Sequence, residues 1–305
     1  MLLCPGQGAQ TPGMGRALFD EYPEVRAVFG EGKKAAGRDL EALCFDTPAD
    51  ILSRTENAQL ALFTVSMGVW SVLSARGFMP CAAAGFSLGE LSALCAAGVF
   101  SLADGFRLVD FRARAMQRAA DASGGGMSVV MGLAAEDVER IAAELGGDAA
   151  PVNFNTPVQV TLAGPLEALE ALEEACRAAG AKRVLRLQLS GAFHTAAMNG
   201  AGEELMKMAE GIAFHASAFP VYVNPTAAAL PEDAEIPAHL KRQMTSPVRW
   251  RETIGALSAQ GMRLYAEAGC GKVLSGMVTK TDGEARCVQT DTPAALEAAM
   301  ELLKG

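Results

Sequence analysis

The stretch AAAGFSLGELSAL at residues 82–94 constrains the fold more than any other. An apolar run meets Gly85-Phe86-Ser87-Leu88-Gly89 and then continues with helical character, so it reads as a buried strand turning sharply into a helix. In the pattern Gly-x-Ser-x-Gly such a turn is a nucleophile elbow, which exposes the serine oxygen above a helix-covered sheet. A second reading is structural. Ser87 and Glu90 also form Ser-x-x-Glu, a capping box that satisfies free N–H groups at a helix start. The pentapeptide alone leaves both readings open.

A chain of 305 residues with 50% hydrophobic content can bury a large core. Twenty-six basic residues against 35 acidic ones give a net charge of -9, which argues against nucleic acid or an anionic membrane as a partner. The seven cysteines are odd in number and contain no Cys-x-x-Cys pair, so reduced thiols in a cytoplasmic setting are expected rather than disulfides or a metal site. Cys81 and Cys95 lie in apolar surroundings and read as small core residues. MLLCPGQG has no secretory signal pattern. Residues 57–75 carry no charge and are long enough to span a bilayer, but they include Asn57, Gln59, Thr64 and three serines, so a helix buried in a globular core is expected.

Residues 1–120 read as a short strand, a Gly-rich loop and several helices. The helix over 102–120 has apolar or small residues at 102, 106, 109, 113, 116 and 120, and SGGG at 123–126 reads as a hinge. Beyond it the order changes to strand (MSVVMGL), helix (AEDVERIAAEL), two strands around Thr156-Pro157, helix (from Pro165) and strand (KRVLRLQL). This βαββαβ order is that of a ferredoxin-like unit. The expectation is a large α/β domain, 1–124 and 190–305, with a small subdomain, 125–189, inserted into it and a C-terminal helix near 294–303.

A nucleophilic Ser87 needs a base, and the chain offers His194, His215 and His239. His239 in PAHLKRQ reads as an exposed helical residue, and His215 as solvated or packed before a strand. His194 lies in LSGAFHTAAM, between a strand and a helix, where loops carry catalytic groups. CPGQGAQTPGMG fits neither nucleotide-binding glycine motif, since Thr11 stands where the third glycine would fall, but its tight turn can present an N–H to an oxyanion. Arg107 and Arg114 have aspartates three or four residues away. Arg112 borders the apolar stripe without one, and needs a carboxylate from elsewhere in the protein or from a substrate.

Taken together, PGQGAQTPGMG, GFSLGELSALCAAG, FRARAMQ, PVNFNTPVQVTLAG, GAFH, RQMTSPVRW and GCGKVLSGM resemble, in order and separation, the malonyl-CoA:acyl carrier protein transacylases of type II fatty-acid synthesis. The resemblance implies a hydrolase-like three-layer α/β fold with a ferredoxin-like insert, Ser87 as nucleophile and His194 as base. It also implies oxyanion donors on Gln7 and Leu88, Arg112 as the clamp on the malonyl carboxylate, and Gln243 orienting His194 through its main-chain carbonyl. Phe86 departs from the histidine common in the family, whereas Phe193 matches the malonyl-selective form.

The resemblance further implies a cytoplasmic monomer that needs no cofactor or metal. Its partners would be malonyl-CoA, coenzyme A and acyl carrier protein, with Lys182, Arg183 and Arg186 as a candidate basic patch for the last. The alternatives are a serine esterase or thioesterase, which calls for an acidic orienter such as Asp148 or Glu167, and a carrier-binding module in which Ser87 only caps its helix.

Overall fold

The structure is a computed structural model that describes residues 1–303. Its strands are β1 (Leu2–Cys4), β2 (Ala83–Gly85), β3 (Gly125–Met131), β4 (Ala150–Thr156), β5 (Gln159–Pro165), β6 (Arg183–Ser190), β7 (Val221–Val223), β8 (Ala228–Ala229), β9 (Leu264–Glu267) and β10 (Arg286–Gln289). Six of them form the main sheet in the order β10-β9-β1-β2-β7-β8, parallel except for the terminal β8. The four strands β3 to β6 form a second, antiparallel sheet in the order β4-β5-β3-β6.

The alternation of side chains makes the main sheet the middle of three layers. Leu2, Cys4 and Ala83 enter one hydrophobic core, together with residues of helices Pro23–Ala36, Thr55–Ala75 and Leu102–Ser123. Met1, Leu3, Ala82 and Ala84 enter another on the opposite face, with Trp250, Ile254, Leu257, Leu274 and Val278. Both faces are covered, as the short apolar strands require. Thr55–Ala75 is the uncharged segment that imitates a membrane span; 78% of its most apolar window is buried, and it is a central helix of the first core.

The second sheet has the ferredoxin-like arrangement, since the first and third strands of the unit are central and the fourth and second lie at the edges. Its helices Ala135–Leu145 and Leu166–Ala178 pack with Val130, Phe154, Val160 and Leu162 into a separate core. Backbone bonds from Phe154 N–H to the Val248 carbonyl and from Val248 N–H to the Val152 carbonyl, 2.9 and 2.8 Å, fasten this sheet to the main body. The glycines at 123–126 are no hinge: Gly124 closes the preceding helix at φ 62°, and Gly125 and Gly126 already belong to β3. Cys95 is buried as expected, but Cys81 is exposed, because it precedes β2 at the surface beside Met262.

Candidate active site

Ser87 follows β2 and precedes the helix Leu88–Ala96, all of whose residues are buried. The turn is tight because its two glycines lie against neighbouring backbone. A Cβ on Gly85 would collide with the Gly89 carbonyl, and one on Gly89 with the carbonyl of Cys4 in β1. Ser87 itself is at φ 49°, ψ -105°, a conformation that a non-glycine residue holds only when its surroundings fix it. Here its N–H donates to Asn224 Oδ1 at 2.8 Å, and its carbonyl accepts from Gln243 Nε2 at 2.8 Å. Asn224 also donates to the Gly85 carbonyl at 2.7 Å. The capping box is not formed: the Ser87 side chain makes no cap bond, and Glu90 turns instead to the backbone N–H of Asn224 and to His239.

The serine Oγ lies 2.8 Å from His194 Nε2. His194 is buried at φ 62°, and its Nδ1 faces the carbonyls of Gln243 and Ser246, both at 3.1 Å. Two carbonyl acceptors require Nδ1 to carry the proton, which leaves the Nε2 lone pair for the serine hydroxyl. Among the described residues no carboxylate hydrogen-bonds the ring; Asp148 and Glu167 play no part. Arg112, fully buried, donates to Gln59 Oε1 at 2.6 Å, Gln243 Oε1 at 3.0 Å and Ser87 Oγ at 3.3 Å. Its Nε has no partner. The pocket over Ser87 is lined by Gln7 and Leu88, by Phe86 and Phe193, and on the small-sheet side by Met127 and Leu187.

A family model of the acyl transferase domain matches residues 1–294. The chain belongs to this acyltransferase family. The malonyl CoA-acyl carrier protein transacylase of Salmonella typhimurium is 40% identical over 299 residues, 97% of each chain. The crystal structure of a malonyl-CoA:acyl carrier protein transacylase from Xanthomonas oryzae superposes with a TM-score of 0.94 at 36% identity, covering 99% of this chain and 97% of that one. A malonyl-transacylase in complex with a type II PKS acyl-carrier protein gives 0.93 at 38% identity, with 99% and 98% covered.

Electrostatically, the acyltransferase keeps its histidine neutral. Burial, and next the Arg112 charge, lower the His194 pKa to about 4, against the two carbonyl bonds that raise it. Burial lowers Arg112 to about 10, and the Glu90 carboxylate opposes that fall.

Ser87, His194, Arg112 and Gln243 are joined by hydrogen bonds, and Gln7 and Leu88 line the pocket together with Ser87 and His194. Asn224 and Gln59 were missed by sequence reasoning. The signal for Asn224 was its place just after β7: residues at the C-terminal ends of strands beside the elbow converge on it, as Gln7 does after β1. His239, expected to be exposed, has a side chain only 10% exposed because it is turned inward to the buried Glu90. His215 is exposed. Phe86 packs edge-to-face on Trp250, centroids 5.7 Å apart, and gives the pocket an apolar wall. Arg186 is not free for a partner, since it pairs with Glu173 at 2.7 Å.

Proposed function

We propose that this acyltransferase moves the malonyl group from malonyl-CoA to the phosphopantetheine thiol of acyl carrier protein through an ester on Ser87. His194 takes the Ser87 proton, and Oγ attacks the thioester carbon. The oxyanion is held by the backbone N–H groups of Leu88 and Gln7; as a first-turn residue, Leu88 has an N–H with no acceptor within its helix. The C–S bond breaks, His194 gives the proton to the departing sulfur, and malonyl-Ser87 remains. In the second half the carrier thiol loses its proton to His194 and attacks the ester, and the same donors serve again. Gln243 and Ser246 hold the imidazole tautomer that both halves need.

The observation that carries the substrate choice is Arg112. This fully buried guanidinium has two amide oxygens and the serine hydroxyl as its hydrogen-bond partners and, among the described residues, no carboxylate within ion-pair distance, and it lies one hydrogen bond from the reacting oxygen. Its planar fork suits a carboxylate. Malonyl transfer to acyl carrier protein is also the activity for which the Salmonella relative is named, and one of the solved relatives is a malonyl-transacylase bound to its acyl-carrier protein.

In this reading the chain supplies every reacting group without a cofactor and acts as a cytoplasmic monomer. Residues 125–189 serve as the small domain beside the pocket, and 1–124 with 190–305 as the large one. Phe193 crowds branched acyl groups.

The test is the intact mass after exposure to malonyl-CoA. A malonyl adduct on Ser87, absent in Ser87→Ala and discharged faster by a thiol or carrier protein than by water, is expected. Rapid discharge by water would favour the esterase reading, and no adduct at all would refute the covalent step.

A further inference from the structure

We propose that His239 is a positioning residue: its imidazole clamps the helix Ile236–Thr245 onto the buried Glu90 carboxylate, fixing the register in which Gln243 reaches the reacting groups. Glu90, in the first turn of the helix after Ser87, is wholly buried. A carboxylate buried this deeply must have both oxygens satisfied. Oε2 accepts the Asn224 N–H at 2.5 Å, and Oε1 accepts from His239 Nε2 at 2.7 Å. Because a carboxylate only accepts, Nε2 carries the proton.

His239 and Gln243 stand four residues apart on one helix and so share a face. Three of the hydrogen bonds Gln243 makes bear on the reacting groups. Its Nε2 donates to the Ser87 carbonyl, its Oε1 accepts from Arg112, and its main-chain carbonyl accepts from His194. A small turn or slide of the helix would weaken all three together. The same Glu90 holds Asn224, whose side chain fixes the Ser87 N–H and the Gly85 carbonyl. Both sides of the positive-φ serine therefore converge on the one carboxylate that His239 completes. His239 also borders a surface hollow with Ala238 and Arg242.

This inference rests on Ser87 being the acylated residue. Its test is the single-turnover rate of Ser87 acylation by malonyl-CoA, measured with the full chain well below its unfolding temperature. His239→Leu is expected to slow acylation at saturation about tenfold, with the half-saturating concentration changed less than twofold, as misplaced groups rather than lost binding would do. His239→Gln, whose amide N–H can reach Glu90, is expected to recover most of the rate. The proposal is overturned if His239→Leu acylates as fast as the parent, if Gln and Leu are equally slow, or if the loss lies in half-saturation. Should His239→Leu fail to fold, His239→Ala is compared with and without imidazole. Imidazole is expected to raise the rate of the variant and not of the parent, and no rescue there overturns the proposal. A parent that forms no Ser87 adduct defeats the function reading itself, whereas a parent that acylates beside an equally fast His239→Leu defeats only the clamp.

Discussion

Two buried charges, one in each sheet's territory, are treated in opposite ways. Glu173, in the small subdomain, is 4% exposed and receives Arg186 at 2.7 Å, Arg177 at 3.2 Å and the Ser128 hydroxyl. Burial alone would raise its pKa, but the bonds from Arg186, Ser128 and Arg177 hold the carboxyl below its ordinary range. Arg112, beside the elbow, is more deeply buried and receives no carboxylate within ion-pair distance among the described residues. A charge that the fold neutralises serves the fold. In the function proposed above, a charge whose hydrogen bonds all go to neutral oxygens is the one that meets the anion of the substrate.

The comparison breaks most visibly at Arg112. Arg112→Ala is expected to lower malonyl transfer by about 2–5 kcal/mol of transition-state binding, or roughly 30-fold to several thousand-fold, as for other truncated charge contacts. Transfer of acetyl, which has no carboxylate, should fall far less. Parallel acylation rates with malonyl-CoA and acetyl-CoA decide it: equal losses would show that Arg112 supports the site without selecting its substrate. Arg112→Lys should not restore selectivity, since one ammonium cannot hold Gln59 and Gln243 and also present a planar fork to the substrate.

Glu173→Gln tests the other half. Its arginine partners are 39% and 48% exposed and can be hydrated when the carboxylate is removed, so the cost is expected to stay at about 1–3 kcal/mol, below that of a fully buried pair. Urea unfolding should register that loss while acylation per folded molecule stays within twofold. A change in malonyl-over-acetyl preference would mean that the small subdomain's charge cluster reaches the site after all.

The same contrast explains what was legible in the sequence. The elbow could be read because its requirements are local: Gly85 and Gly89 are demanded by backbone contact within one turn and with the adjacent strand. The βαββαβ order of residues 125–189 could be read because period and turn chemistry carry it. Arg112 stood out because nothing on its own helix paired it. Its actual partners, Gln59 and Gln243, lie 53 residues before it and 131 after, on elements whose adjacency no local pattern encodes. Asn224 escaped for a related reason. It follows a strand of three residues whose place beside β2 is set by the whole sheet order. His239 was misread because PAHLKRQ is polar by composition, while the buried Glu90 that draws it inward lies 149 residues earlier.

The smallest effect sharpens the comparison through pH. In the free enzyme His194 is brought down to about 4, first by burial and then by the Arg112 charge. A lowered pKa keeps the imidazole unprotonated above that pH, so the second-order acylation rate should hold until the medium approaches it. If the substrate carboxylate pairs with Arg112 in the malonyl complex, as proposed, it cancels the second of those causes, and the imidazole becomes easier to protonate. The acid limb of the saturated acylation rate should therefore lie at higher pH than that of the second-order rate. With acetyl-CoA, which leaves Arg112 unpaired, the two limbs should coincide more closely. Single-turnover acylation across the acid range with both thioesters reads this directly. A malonyl limb that moves down on saturation, or an equal gap for acetyl, would mean that the buried guanidinium does not exchange its influence on His194 for a bond to the substrate.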